Sequence, residues 1–284
     1  MWRSGLSSQK RDPAVLGDGV EHASGSGLGT IAVEAVSLAY RAPRGSGQVL
    51  VLSEVSLYVS AGEFVCVVGP SGCGKTSLLH CLAGLVAPSR GIIRVGGSVV
   101  RGPGRDRGVV FQQYALFPWL SAVRNVEFSL QMRGVARSER RALALEYLSL
   151  VNMAEAAHVM PKALSGGMKQ RVALARAYAA EPQVMLMDEP FGALDAQTRR
   201  GLQLDLLRTW ESERRTVVFI THDVVEAVLL GGRVVVMKAG PGEVTADVTI
   251  ALGSGRDART VDTDAFRRSK AAVEGAMESR APDK

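Results

Sequence analysis

The sequence has few cysteines, few aromatic residues and no long apolar stretch. Its three cysteines lack paired CxxC spacing, which argues against a disulfide scaffold and favours a reducing compartment. No apolar run approaches the roughly 18 residues of a membrane span, and the first residues lack the apolar core of a signal peptide. Like charges form no block typical of a nucleic-acid-binding arm. We expect a globular protein that works at a membrane, if at all, through another chain.

The chain nevertheless has enough apolar sequence for a substantial core. It contains 284 residues, of which 46% are hydrophobic and 22% charged, and this suits one large domain or two small ones. Lysine and arginine exceed aspartate and glutamate by 34 to 28, for a net charge of +6. This excess favours phosphate-bearing or acidic partners without demonstrating nucleic-acid binding.

Composition and periodicity divide the chain into segments. Residues 1–29 are rich in glycine and serine and predict a flexible N-terminal segment. Residues 30–250 predict one domain: alternating antiparallel strands come first, followed by a buried strand at 63–69 and a helix-rich subdomain at about 115–180. Strands and helices then alternate, which favours an α/β sheet. Residues 251–284 predict a short polar tail with one segment that suits a helix.

A glycine-rich loop, "GPSGCGKT", follows the buried strand and precedes a helical pattern. It matches GxxxxGK[ST], in which backbone N–H groups surround phosphates, the lysine reaches the β and γ phosphates, and the hydroxyl binds Mg²⁺. A chance glycine turn is the alternative. The predicted phosphate-binding residues are Gly69, Pro70, Ser71, Gly72, Cys73, Gly74, Lys75, Thr76 and Ser77.

A second buried strand, "VMLMD", ends in two adjacent carboxylates, Asp188 and Glu189. Neighbours on a strand point to opposite faces, so we expect the two carboxylates to do different work. Asp188 suits Mg²⁺ held through water, and Glu189 suits a general base that polarises the attacking water. A solvated pair at a strand end is the alternative.

Two further glycines open a helix in "ALSGGMKQRVALARA". Ser165, Gly166 and Gly167 could form a second phosphate-binding concavity by the physics that applies to the first loop. They could instead be a helix start capped by Ser165, with glycines for close packing.

These motifs together resemble the ATP-binding subunit of an ABC transporter, from about Ile31 to Met237. "LSGGMKQRVALARA" looks like the ABC signature motif, and the other matching motifs are the P-loop, "VMLMDEP", the "ALD" of "FGALDAQTR", and "ITHD". The resemblance implies a P-loop NTPase fold of the ABC cassette type, with an antiparallel β subdomain and a helical signature subdomain. It also implies ATP and Mg²⁺ as ligands, and a head-to-tail pair of cassettes that hydrolyses ATP, either a homodimer or this chain with a paired cassette.

The resemblance also assigns roles to single residues. Ser165, Gly166 and Gly167 would contact the γ phosphate on the partner cassette, although Met168 stands where the family commonly has glutamine. Gln112 matches the glutamine that senses Mg²⁺ and the attacking water, with Gln113 ranked second. His222 matches the γ-phosphate switch histidine and Asp195 a residue at the dimer seam. Tyr40 matches the aromatic that stacks on adenine, or is an ordinary strand-end aromatic.

The "PW" shortly after Gln112, together with "LSGGMKQR" and "MDEPFGALDAQTR", is similar to the ATP-binding cassettes of nitrate, sulfonate and taurine importers. In "LFPWLSAVRNVEF", Phe117, Pro118 and Trp119 are either core or an exposed anchor for a partner helix. The resemblance implies integral membrane permease subunits as partners, a periplasmic or extracellular solute-binding protein indirectly, and a peripheral position on the cytoplasmic face of the membrane. A soluble ABC ATPase acting on ribosomes or DNA is the alternative. ABC ATPases that act on ribosomes or DNA usually carry two fused cassettes or a long coiled-coil insertion. This sequence shows neither, so we expect no nucleic-acid partner.

Overall fold

The computed structural model describes residues 27–41 and 47–278. Residues 1–26 of the predicted flexible segment 1–29 therefore lie outside the described residues. The strands in the described ranges are β1 Ile31–Arg41, β2 Gln48–Val59, β3 Phe64–Val68, β4 Arg90–Val95, β5 Ser98–Val99, β6 Arg107–Val110, β7 Val184–Asp188, β8 Thr216–Ile220, β9 Arg233–Lys238 and β10 Glu243–Thr249.

The α-helices divide into those beside the sheets, one group in the middle of the chain, and one near its end. Their bounds are α1 Lys75–Ala83, α2 Ala122–Arg133, α3 Arg137–Leu150, α4 Gly166–Ala179, α5 Ala196–Glu213, α6 Val224–Leu230 and α7 Asp264–Glu278. Within the described ranges, no helix is long and apolar enough to cross a bilayer.

The strands form two sheets. The first is antiparallel in the order β2-β1-β4-β5, which confirms the predicted antiparallel β subdomain. The second has the order β10-β9-β3-β8-β7-β6, and all its strands except β10 run parallel. Strands β3, β8 and β7 therefore lie side by side, and the loops that follow them meet at one edge of the sheet.

The six-stranded sheet separates two apolar cores. Phe64, Cys66 and Val68 of β3 face one core, whereas Val65 and Val67 face the other. This alternation confirms that β3 is buried on both faces, as its continuous apolar run predicted. The first core contains side chains from helices α2 to α7. The second contains side chains from α1, the antiparallel sheet and the opposite face of the six-stranded sheet.

The helical region consists of α2, α3 and α4, which pack against one another and connect to the rest through α4. Near the chain end, α7 packs against α6, β9 and β10, and its Phe266 and Val273 side chains are buried. The sequence predicted a short polar tail with one segment that suits a helix, and α7 lies in that segment. Two apolar residues, spaced two helical turns apart, give this otherwise charged helix one buried face.

Candidate functional site

The glycine-rich loop connects β3 to α1 at the shared sheet edge. Gly74 precedes the helix in the left-handed region, with φ of 93°, and an added Cβ would lie 2.6 Å from Cδ2 of Leu52. Glycine is therefore required here for both conformation and space. The Lys75 ammonium donates hydrogen bonds to the carbonyls of Gly69 (2.8 Å) and Pro70 (3.0 Å), and thus lies inside the loop. Thr76, the next residue, is exposed.

Thr76 meets the end of β7. Its hydroxyl donates to Oδ1 of Asp188 across 3.1 Å, although 112 residues separate the two in sequence. Burial raises the pKa of the Asp188 carboxyl, and the Thr76 hydrogen bond partly offsets this effect. Within the described ranges, no group of three or more His, Cys, Asp or Glu side chains could hold a metal. One hydroxyl beside one carboxylate nevertheless fits Mg²⁺, which commonly takes few protein oxygens and completes its shell with phosphate and water.

Glu189 and His222 face each other across the ends of β7 and β8. Nδ1 of His222 lies 3.2 Å from Oε2 of Glu189, and the Glu189 N–H donates to the carbonyl of Ile220 (3.0 Å). The strand ends at Asp188, and Glu189 adopts a left-handed φ of 41°. We predicted that the two carboxylates would point apart because they alternate along a strand, and this reason was wrong. Glu189 lies after the strand, in a turn, and contacts His222, whereas Asp188 contacts Thr76.

Ser165 and the two glycines begin α4. The Ser165 hydroxyl accepts a hydrogen bond from the Met168 N–H (3.3 Å), and an added Cβ at Gly167 would lie 2.5 Å from Cγ2 of Thr198. At Gly166 it would lie 3.0 Å from the Tyr114 hydroxyl. The cap and the close packing of the alternative interpretation are both present. They leave the helix N-terminus available to an anion, because Ser165 itself is exposed.

Within the described part of the chain, Ser165 of the signature loop (Ser165, Gly166 and Gly167) is not hydrogen-bonded to the P-loop, residues 69–77. Ser165 instead bonds within its own helical turn, to the N–H of Met168 and, through its carbonyl, to that of Lys169. The hydrogen bonds of Ser165 are therefore those of a helix N-cap.

The remaining predicted residues occupy three separate places. Asp195 caps α5 by accepting from the Thr198 N–H (3.0 Å), and this backbone hydrogen bond lowers the pKa of its exposed carboxyl. Tyr40 lies opposite Val49 in the antiparallel sheet and is 40% exposed. Gln112 follows β6 and is exposed. The structure thus brings Lys75, Asp188 and their neighbours together, and leaves these three on the surface.

An aromatic patch, formed by Phe117, Trp119 and Phe128, lies beyond Gln112. The Phe117 ring is half-buried, with its centroid 4.7 Å from that of Phe128 and 5.6 Å from that of Trp119. Trp119 itself is 70% exposed. Phe117 therefore contributes to packing, as the core interpretation predicted, whereas Trp119 suits the anchor interpretation.

Sequence reasoning missed the residue that holds this patch in place. The buried amide of Asn125 accepts from the Phe117 N–H (2.9 Å) and donates to the carbonyls of Leu120 (2.9 Å) and Ser121 (3.1 Å). Its signal in the sequence was a lone polar residue on the apolar face of α2. It also missed a buried pair, Gln203 and Glu226, next to the Glu189–His222 contact.

The chain is similar to known proteins in sequence and in structure. Residues 52–192 match the family model "ABC transporter". The chain is 48% identical over 206 residues to the nitrate import ATP-binding protein NrtD of Synechocystis, covering 72% of this chain and 77% of that protein. It is 46% identical over 239 residues to the taurine import ATP-binding protein TauB of Sinorhizobium fredii, covering 82% and 90%.

A solved structure has the same fold. The ATP-binding cassette MJ0796, in a dimeric post-hydrolysis state bound to ADP and Pi, superposes with a TM-score of 0.71 at 33% identity. The match covers 78% of this chain and all of that one. The sequence and structural comparisons therefore point to the same kind of nucleotide-binding domain.

Proposed function

This chain belongs to the ABC transporter family as an ATP-binding ATPase subunit, and we propose that it drives an importer of small anions from the cytoplasmic face of the membrane. Similarity to nitrate and taurine import proteins supports the importer, and the ATPase role rests on the meeting of two residue pairs at the carboxyl edge of the parallel sheet. Thr76 lies 3.1 Å from Asp188, and His222 lies 3.2 Å from Glu189.

Each member of these pairs takes a distinct role in hydrolysis. The P-loop N–H groups and Lys75 bind the ATP phosphates, and Thr76 and Asp188 would hold Mg²⁺ together with Gln112. A bound Mg²⁺ would neutralise charge that develops on the phosphates. Glu189 accepts the proton of the attacking water, and His222 contacts the γ phosphate while it orients the Glu189 carboxylate. Tyr40 stacks on the adenine.

A second copy of the chain completes each site. We assign Ser165, Gly166 and Gly167 to the γ phosphate of the ATP held by the partner's P-loop, with Asp195 at the seam. The dimeric state of the MJ0796 cassette supports this assignment, and no hydrogen bond joins Ser165 to the P-loop within the described residues of one chain. Closure would then draw its energy from contacts made only while ATP is bound.

Substitution of Ser165 by alanine tests this arrangement. We expect ATP hydrolysis to fall, because a contact to the shared phosphate is lost, while nucleotide binding to the monomer stays nearly intact. Ser149→Ala is a matched control, because that hydroxyl donates only to the Leu145 carbonyl of its own helix. Equal loss of binding and hydrolysis in the Ser165 variant would assign the loop to its own chain's ATP.

The membrane partner would dock at the aromatic patch. Trp119 is exposed, and the Asn125 amide fixes the surrounding backbone, so the indole can enter a pocket of a permease helix at small entropic cost. Phe117 of the patch lies five residues after Gln112, so a movement of the docked permease could change the position of Gln112 at the nucleotide. The solute-binding protein would contact the permease and not this chain.

The transported solute is assigned at the level of the importer branch. Identity to the nitrate protein (48%) and to the taurine protein (46%) is nearly equal, so it supports the branch without separating the solutes. Uptake of labelled nitrate, taurine and alkanesulfonates in cells with and without this chain tests the assignment. If none of these uptakes changes while that of another solute does, the branch proposal is wrong.

A further inference from the structure

A buried carboxylate lies behind the Glu189–His222 contact. Glu226 on α6 and Gln203 on α5 are each 5% exposed, and the Gln203 amide donates to Oε1 of Glu226 across 2.9 Å. Thr221 lines the same cavity as Glu226. Burial raises the pKa of the Glu226 carboxyl, and the polar side chains of Thr221 and Gln203 partly offset the effect.

On one side, Glu226 is connected to the backbone around His222. Thr221 immediately precedes His222, and its N–H donates to the Val67 carbonyl (3.2 Å) while its hydroxyl accepts from the Asp223 N–H (3.0 Å). The Asp223 carboxylate in turn caps α6 by accepting from the N–H of Glu226 (3.2 Å). The residue after His222 is thus bonded to the Glu226 backbone, and the residue before His222 lines the same cavity as Glu226.

On the other side, Glu226 is connected to α5, the helix that Asp195 begins. Arg199 lies one turn before Gln203, attracts the Glu226 carboxylate, and donates to the carbonyl of Leu194 (2.8 Å). Arg199 and Glu226 line the same cavity of about 30 Å³ as Glu189 and His222. One carboxylate therefore joins the loop that carries His222 to the helix that starts at the proposed dimer seam.

Stability alone does not account for this arrangement. An apolar side chain of similar size would fill the space without the desolvation cost of a carboxylate, and such replacements of buried charges are often neutral or stabilising. The polar contacts do fix geometry, because each has a defined direction and length.

We propose that Glu226 is a positioning residue for ATP hydrolysis, which holds His222 in contact with Glu189 by connecting the segment 221–223 to α5 through Gln203. The inference rests on the proposed roles of Glu189 and His222. It adds that the geometry of the His222 loop is set from the helix that Asp195 begins.

The test is the steady-state kinetics of Glu226→Gln in the full chain. Glutamine keeps the size and the hydrogen bond from Gln203 but removes the negative charge near Arg199 and one carboxylate oxygen. We expect kcat to fall roughly tenfold, which is the lower end of the loss when outer-shell partners are removed. We expect KM for ATP to stay within about twofold and the thermal midpoint not to fall, because a buried charge has been removed.

A reciprocal exchange provides the rescue. Adding Gln203→Glu to Glu226→Gln returns a carboxylate to the same space, one turn from Arg199, and we expect most of the lost kcat to return. The control is Glu213→Gln at the end of α5. The Glu213 carboxylate pairs with Nε of Arg215 at 2.6 Å, and Glu213 does not line this cavity. This control should keep wild-type kinetics.

Three results would overturn the proposal. They are a kcat for Glu226→Gln within twofold of wild type, a KM that changes in step with kcat, or an exchange variant that folds as wild type but recovers no activity. Wild-type turnover in the same assay reports on the proposed ATPase mechanism separately, so failure of the Glu226 inference leaves that mechanism standing.

Discussion

Glu189→Gln is the sharpest perturbation of the proposed site. The carboxylate is mostly buried, with 23% of its side chain exposed, and its Oε2 lies 3.2 Å from Nδ1 of His222. Glutamine retains the size and an amide oxygen that can still face the histidine, so the substitution removes little except basicity. Loss of a general base slows a reaction about 10²- to 10⁴-fold, which corresponds to about 3–5 kcal/mol of added barrier.

The assay separates this loss of chemistry from a loss of binding. Because the P-loop supplies the phosphate contacts, we expect the variant to bind ATP as wild type does and to accumulate as an ATP-bound dimer on size-exclusion chromatography. Phosphate release should be slower by the factor above. Glu213→Gln, the same chemical change at a position paired with Arg215, should behave as wild type. Release within tenfold of the wild-type rate would remove Glu189 from the role of base.

Three further predictions address the loop, the patch and the buried carboxylate. Gly74→Ala forces a left-handed alanine 2.6 Å from Cδ2 of Leu52, so we expect denaturant titration to show about 1–2 kcal/mol less stability and ATP titration to show weaker binding. Trp119→Ala should change stability by less than about 0.5 kcal/mol and leave hydrolysis intact, because the ring is exposed, but should abolish co-purification with the permease. The raised pKa of Glu226 means that the folded chain holds this proton to higher pH than the unfolded chain. Wild-type stability should therefore fall as pH rises from the ordinary pKa of 4.5 through the raised one, and the gain of Glu226→Gln in thermal unfolding should grow over the same range. A pH-independent difference would contradict the last prediction.

The sequence predicted the fold class because its strongest signals are local. Continuous apolar runs marked β3 and β7 as strands buried on both faces, and alternation marked β1 and β2 as half-exposed. The short motifs indicated the family because each combines fixed residue types with a strand or helix context. The roles assigned to Ser165 and Glu189 stay predictions, since they depend on how the chain meets its ligand and a second copy.

Other features had no local signal. Phe266 and Val273 of α7 are buried because α7 packs against α6, β9 and β10. The charged composition of this segment gave no sign of that burial. The pairing of Gln203 with Glu226 was hidden because both residue types are ordinarily exposed on helices. The choice between core and anchor for Phe117 and Trp119 required the actual packing of α2.

By itself, the sequence determined which residue types stand after each buried strand: a glycine loop with Lys75 and Thr76, then the carboxylates, then His222. Only the tertiary structure decided which of these are neighbours. Parallel strands with similar apolar runs can be ordered in several ways, and the strand order β3-β8-β7 places Thr76 beside Asp188 and His222 beside Glu189. The physical reason is that burial selects a residue's hydrophobicity, whereas adjacency is set by the packing of whole elements.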